Sequence, residues 1–122
     1  LKQPFFGSGL DKYAYIDPQV IPDYIKTRLI SAHNGYLAIL TQYGIVFGSF
    51  FIFVIFKKFF SFLNSFRTYT NVEKIYLYII VYAVFAALYE TMITGINEFH
   101  TILFWFSLAF LSFSKIYHEY EN

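Results

Sequence analysis

An uncharged run of 21 residues, 36–56, constrains the fold of this chain more than any other feature. As an α-helix it would be about 31 Å long, because each residue adds about 1.5 Å. The hydrocarbon core of a bilayer is about 30 Å thick, so the run predicts a membrane-spanning helix. The small polar group Ser31-Ala32-His33-Asn34 comes just before it. We therefore expect a histidine and an asparagine where this helix meets water.

One face of the predicted helix carries residues that suit close packing. At helical spacing, this face contains His33, Leu37, Leu40, Gly44 and Gly48. The two glycines lie four residues apart, a spacing that lets a neighbouring helix approach closely in a membrane. The sequence thus predicts a packing groove with a polar cluster at its outer end.

The composition supports a membrane protein. The chain has 122 residues, of which 57% are hydrophobic, 25% aromatic and only 14% charged. Soluble domains have about a quarter of charged residues, so this chain falls outside their usual range. A net charge of +1, without a basic patch, argues against nucleic acid as a partner. Cysteine is absent, which excludes disulfides and thiolate chemistry.

Two further apolar runs follow, so the predicted fold is all-α, with about three spanning helices near residues 36–56, 75–94 and 99–114. These helices form a membrane domain, 36–122. The segment before it, 1–35, is the most polar part of the chain and is predicted to be an external loop. It contains either short helices at the membrane surface or a solvated loop.

Lysine and arginine predict the orientation, because they are enriched on the cytoplasmic side of a membrane. Four of them lie in the connection 57–74, and Lys115 is on the same side. Only Lys26 and Arg28 lie close to the first helix on the other side. Five against two places the middle connection in the cytoplasm and the loop with His33 outside.

Two ionisable residues are candidate catalytic groups. His33 can accept a proton near neutral pH, as a general base must. Glu90 lies within the second predicted helix, where a carboxylate costs a few kcal/mol and normally faces the bundle interior. Topology would bring both residues to the outer level. Each also has a structural interpretation: His33 as a helix-end hydrogen-bonding residue, Glu90 as a cap or ion-pair partner. No spacing of His, Asp and Glu predicts a metal site or a cofactor.

Three stretches carry a resemblance to one family. His33-Asn34-Gly35-Tyr36-Leu37, with Leu40 and Gly44 after it, resembles the HNxYL signature of the O-antigen ligase and polysaccharide polymerase superfamily. The stretch Pro4-Phe5-Phe6-Gly7-Ser8-Gly9 is similar to an upstream family segment. Tyr89-Glu90-Thr91, followed by Trp105, is similar to a segment near the family's C-terminus.

The resemblance implies a bacterial inner-membrane glycosyltransferase of many membrane helices, of which this chain would be a C-terminal part. Such enzymes move a glycan from undecaprenyl diphosphate to a lipid or glycan acceptor on the periplasmic side. His33 would be the base or an acceptor-positioning group, and Glu90 a partner of the site. No cofactor is implied. The other helices of the full-length protein would be partners.

Four residues are candidates for substrate binding. Arg28 and Lys26 precede the histidine on the outer side and could hold the diphosphate, since arginine binds phosphate with two parallel hydrogen bonds. Surface charge at the headgroup layer is the alternative. Asn34 and Tyr36 could orient His33 or a sugar hydroxyl, although Tyr36 would equally suit an interfacial anchor. The competing class of protein is a small, non-enzymatic three-helix membrane subunit or a transporter fragment.

Overall fold

The computed structural model describes residues 4–7, 9, 34–95 and 98–121, with side chains up to residue 117. This part of the chain is all-helical, as predicted. Its elements are α1 (Gly35–Asn64), a 3₁₀ turn (Phe66–Thr68), α2 (Asn71–Ala86) and α3 (Phe99–Glu121). Most of the predicted external loop lies outside the described residues, so its short helices stay a prediction.

Two of the three helices, α1 and α3, are long and apolar enough to span a bilayer. In the most apolar stretch of each, only 22% of the residues are buried within the protein. Apolar surface as extensive as this is normally covered, by lipid or by another protein segment. The structure thus agrees with the membrane class that the composition indicates.

Helix α1 is not one straight helix, contrary to the prediction for residues 36–56. Gly44 has φ 75° and ψ 173°, far from helical values, and interrupts the helix. The chain reverses there. A Cβ atom at Gly48 would lie 3.1 Å from the Cα of Leu40, although eight residues span about 12 Å in a straight helix. The Tyr36 and Phe56 rings are also only 5.7 Å apart.

Helix α1 therefore consists of a short arm, residues 35–43, which folds back against a long segment, residues 45–64. The long segment has 20 residues and is about 30 Å long, so it matches the thickness of a bilayer core by itself. It runs past Lys57, where the sequence predicted the helix to stop. The predicted stripe through Gly44 and Gly48 does not exist, because the chain reverses between its two halves.

Helix α2 ends earlier than predicted. It begins with a capping box in which Thr70 and Glu73 satisfy each other's backbone N–H groups. It ends at Ala86, eight residues before the predicted end at Thr94. The following residues form tight turns up to Gly95. With 16 residues, α2 is about 24 Å long, which is shorter than a typical bilayer core.

The core lies mainly between α2 and α3. Helix α3 starts at Phe99 as predicted but continues well beyond Ser114, to Glu121. Its buried stripe follows helical spacing and consists of Thr101, Phe104, Ser107 and Leu111. The buried Ser107 hydroxyl donates to the carbonyl of Leu103 at 2.7 Å, so this polar group is satisfied inside the core.

Candidate functional site

The start of the arm meets the end of α2 through three hydrogen bonds. The backbone N–H of Gly35 donates to the Ala87 carbonyl at 2.8 Å, and the Asn34 Nδ2 donates to the Leu88 carbonyl at 2.9 Å. The Tyr36 hydroxyl donates to the Val84 carbonyl at 2.6 Å. The last carbonyls of a helix lack intrahelical partners, so this junction satisfies groups that would otherwise need water.

Asn34 has a double role at this junction. Its Oδ1 accepts the Leu37 N–H at 2.9 Å and thereby caps the arm, while its Nδ2 binds α2. The helix begins at Gly35, directly after this cap. Gly35 is suited to the junction, since a Cβ atom there would lie 3.1 Å from the Glu90 carbonyl oxygen. The backbone at the start of the HNxYL stretch is thus in contact with the backbone at Glu90.

Glu90 is exposed and lies in the turn after α2, which corrects the prediction that its carboxylate is inside a membrane helix. The arm binds the carbonyl of Val84 in the last turn of α2 and those of Ala87 and Leu88 just after it. The cost of placing a carboxylate in a membrane helix therefore gives no argument for a functional role of Glu90. Its backbone is next to the arm, so it still lies near the start of the predicted HNxYL motif.

Three of the six predicted site residues lie outside the described residues: His33, Arg28 and Lys26. Their roles stay predictions. The structure describes Asn34, Tyr36 and Glu90 and brings their backbones to one place. Both polar ends of the Asn34 side chain and the Tyr36 hydroxyl bind protein groups. These two side chains therefore hold the arm, and their predicted role in orienting His33 or a sugar hydroxyl stays a prediction.

The segment that begins at Pro4 covers the reversal of α1. The Ile45 N–H donates to the Pro4 carbonyl at 2.8 Å, and the Gly9 N–H donates to the Gln42 carbonyl at 3.0 Å. The backbones approach so closely that a Cβ atom at Gly44 would overlap the Phe5 carbonyl. The upstream segment that begins at Pro4 is thus in contact with Gly44, the glycine that follows the HNxYL stretch.

Two clefts adjoin the arm. The first, about 460 Å³, is lined entirely by apolar and aromatic residues: Tyr36 of the arm, four residues of the long segment and four from α2 and the turn after it. The second, about 280 Å³, lies where the end of the arm approaches α3 and contains both aromatic and polar groups. We call it the Trp105 pocket; its lining includes Gln42, Tyr43, Phe51, Thr94, Thr101 and Trp105. Sequence reasoning missed it because the reversal at Gly44 creates it.

An ion pair lies beside the Trp105 pocket. His100 Nε2 is 2.5 Å from Glu98 Oε2, and both side chains are partly exposed. The Glu98 carboxylate packs over Gly95, which also lines the pocket. The structure thus places Glu98 and His100 next to a cleft. Among the described residues, no three His, Asp or Glu side chains form a metal-binding group.

A second polar cluster joins the start of α2 to the later part of α3 and to the last turns of α1. The buried Glu73 carboxylate accepts hydrogen bonds from Thr70 and from the Ser114 hydroxyl of α3. Nearby, Lys115 Nζ donates to Ser61 Oγ at 2.7 Å. These contacts tie α3 to both other helices. In the sequence, Glu73 is the one acid in a basic connection. Its spacing from Thr70 fits a capping box, but no sequence pattern indicates its contact with Ser114.

The Tyr69 hydroxyl belongs to the same end of the molecule. It is buried and has no hydrogen-bond partner within the described part of the chain. Burial raises the pKa of this hydroxyl above 10.0, and the nearby Glu73 carboxylate raises it further. Tyr69 therefore stays neutral, as expected for a group that contributes packing at this junction.

Comparison of the chain with models of protein families, with curated proteins and with solved structures gives no match in any of the three. The family to which the sequence motifs point is therefore a proposal that depends on the motifs and on their spatial arrangement.

Proposed function

We propose that this chain is part of a bacterial membrane glycosyltransferase of the O-antigen ligase or polysaccharide polymerase type. One observation carries the proposal: the sequence stretches that resemble the family's motifs are in contact. The Pro4 segment packs on Gly44, and Asn34 and Gly35 bind the end of α2 next to Glu90. These two contacts lie at the two ends of the arm, so one short element holds stretches that are far apart in the sequence.

In this proposal His33 takes the proton of the attacking hydroxyl or positions the acceptor. It directly precedes Asn34, whose two hydrogen bonds fix the start of the arm against α2. A base must be held within hydrogen-bond reach of its substrate, and a firmly held neighbour restricts its position. Arg28 and Lys26 bind the diphosphate of an undecaprenyl-linked glycan, the donor substrate. Glu90 completes the site from the side of α2.

The proposed location is the bacterial inner membrane, with several membrane-spanning segments and the His33 loop outside. The long segment of α1 and helix α3 cross the bilayer. Helix α2, together with the arm that binds its end, takes the place of a third spanning element. In the non-helical backbone that follows α2, the carbonyls of Ala87 and Leu88 bind the arm. Such pairing with protein groups is what non-helical backbone at membrane depth requires.

A non-enzymatic membrane subunit or transporter piece is the second candidate, and one observation favours it. The long segment exposes a row of large apolar side chains, namely Val46, Phe47, Phe50 and Phe53. Such a face suits another helix as well as it suits lipid. In this alternative, the junction at Asn34 has only a structural role, and His33 is not needed for any transfer reaction.

Substitution of His33 in the full-length protein separates the two candidates. We expect His33→Ala to reduce glycan transfer by about 10²–10⁴-fold in cells that lack the native gene, as is typical of general-base loss. His33→Asn keeps a hydrogen bond but accepts no proton. It should fail equally if His33 is a base and recover part of the activity if His33 positions the acceptor. The amount of protein in the membrane should stay near normal.

The matched control is His118→Ala, which removes a histidine from the polar C-terminal tail. It should leave glycan transfer unchanged. Glu90→Gln should lower transfer more than it lowers the amount of protein in the membrane. Wild-type transfer by His33→Ala would contradict the enzymatic proposal and favour the subunit.

A further inference from the structure

The Trp105 pocket combines two kinds of surface. Tyr43, Phe51 and Trp105 supply aromatic rings, and the ring centroids of Phe51 and Trp105 are 5.9 Å apart. Gln42 and Thr94 add polar residues to the lining of the same cleft. Small-molecule sites are typically clefts with mostly apolar walls and a few polar groups that fix orientation.

The aromatic wall is held in place before any ligand arrives. The Trp105 Nε1–H donates to the carbonyl of Ile93 at 3.0 Å, which fixes the indole against the turn that follows α2. The ring also packs against Phe104 from α3, with centroids 5.1 Å apart. A rigid wall lowers the entropy cost of binding, because few side chains need to be ordered by the ligand.

Thr101 supplies an independent sign of a polar ligand. Its side chain lines the pocket and is 93% buried, and its hydroxyl has no hydrogen-bond partner within the described residues. A buried hydroxyl without a partner costs about 1–3 kcal/mol in general and is therefore uncommon. A ligand with its own hydroxyl groups, bound after a small opening of the cleft, would supply the missing partner.

We propose that the Trp105 pocket binds a neutral sugar ring, and that this ring belongs to the acceptor of the proposed glycosyl transfer. Aromatic faces are electron-rich, so they attract the weakly positive C–H groups on one side of a pyranose. The hydroxyl groups on the ring edge then bind the amide of Gln42 and the hydroxyl of Thr94. None of the residues that line the pocket is charged, which favours a neutral sugar over an acidic one.

That the bound sugar is the acceptor depends on the proposed function, whereas sugar binding itself is measured without any transfer. Trp105 is the only tryptophan of the chain, so its fluorescence reports on this pocket alone. The chain, purified in detergent micelles, is titrated with methyl α-glucopyranoside, methyl α-galactopyranoside and N-acetylglucosamine. We expect a saturable change in emission for at least one of them, with a Kd on the order of 1 mM.

Two variants test the polar contacts, and a third is the control. Gln42→Leu and Thr94→Val should each weaken binding by about tenfold, the size expected for one lost hydrogen bond in a small site. Ser49→Ala, an exposed residue of the long segment, should leave the Kd unchanged. If Gln42→Leu does not fold, Thr94→Val still tests the proposal.

A flat titration with all three sugars would overturn the inference. A second result would also overturn it: brominated lipid quenches Trp105 fluorescence, and none of these sugars reverses the quenching. Acyl chains would then occupy the pocket. Either result leaves the His33 experiment intact, since glycan transfer is measured separately. Equal binding by wild type and both pocket variants would place the sugar elsewhere and contradict the assignment.

Discussion

Gly44 is the residue on which the shape of α1 depends. Its φ of 75° with ψ of 173° belongs to a region that is essentially restricted to glycine. Space adds a second restriction, because the carbonyl of Phe5 occupies the place of a Cβ atom. Backbone cannot move aside as a flexible side chain does. Both restrictions therefore act against any other residue at this position.

We expect Gly44→Ala to destabilise the protein by about 1–3 kcal/mol from the backbone conformation alone, and by more through the contact with Phe5. Thermal unfolding in detergent, followed by circular dichroism, measures the loss. The control, Ser49→Ala, changes a neighbouring exposed residue and should leave the unfolding temperature unchanged. Equal unfolding temperatures for Gly44→Ala and wild type would mean that the chain does not reverse at this residue.

At the scale of elements, the arm is held on two sides. Gly48 of the long segment allows the backbone at Ile39 and Leu40 to approach within van der Waals distance. On the other side, the arm binds the last carbonyls of α2 through Gly35. A small residue such as Gly48 lets two backbones come close, and a helix end supplies free carbonyls. Gly48 therefore packs against the arm of its own helix, whereas the sequence predicted a contact with a separate helix.

Cross-linking within α1 distinguishes a reversed helix from a straight one. In the reversed form the side chains of residues 36 and 56 are neighbours, whereas a straight helix would separate them by about 30 Å. The chain contains no cysteine, so Tyr36→Cys combined with Phe56→Cys gives one defined pair. We expect a short bismaleimide reagent to join the two cysteines within one chain, detected by mass spectrometry of proteolytic peptides.

Each single-cysteine variant serves as a control, since it can form only links between different molecules. The double variant in denaturing detergent should also lose the internal link. Absence of the link in the folded double variant, with both cysteines reactive to a monofunctional maleimide, would contradict the arm.

At the scale of the whole molecule, polar groups gather at the two ends and apolar faces lie between them. One end contains the Trp105 pocket and the other contains Glu73 with its partners Thr70 and Ser114, while the Asn34 junction lies between them, level with Phe56 of the long segment. Large apolar side chains are exposed along all three helices between these ends. A bilayer matches such a distribution, because its core accepts apolar side chains and its surfaces accept polar ones.

The charges then predict which end faces the cytoplasm. A reporter fused after Asn64 should be cytoplasmic and one fused after Asn97 external, because five lysines and arginines lie on the first side and two on the second. Paired fusions to alkaline phosphatase and to green fluorescent protein measure the location of each point. The two reporters have opposite requirements, so each fusion controls the other. An external signal after Asn64 would reverse the orientation and remove the proposed outer site.

The amino-acid sequence determined the all-helical fold class and the approximate location of the three helices, but few of their ends. Apolar runs of sufficient length located α1 and α3, and the start of α3 at Phe99 agrees with its prediction. The pairing of Thr70 with Glu73 is readable as a capping box, because both residues act within one turn. The sequence also pointed to Asn34 as a polar residue at the start of a helix. These features depend on neighbours along the chain, which a single sequence displays.

Only the tertiary structure decided where those runs break. Glycine is tolerated in a helix and also adopts positive φ, so a run through Gly44 predicts a continuous helix unless the Pro4 segment is known to lie against it. Helix α2 was predicted to continue through Glu90 because residues 87–94 are apolar enough. It stops at Ala86, where the carbonyls of Val84, Ala87 and Leu88 accept hydrogen bonds from the arm, about 50 residues away in sequence. The Trp105 pocket has the same origin, since Gln42 and Thr101 become neighbours only after the chain reverses. Contacts across that distance leave no periodic signal in the sequence, which is why they had to be seen in the fold.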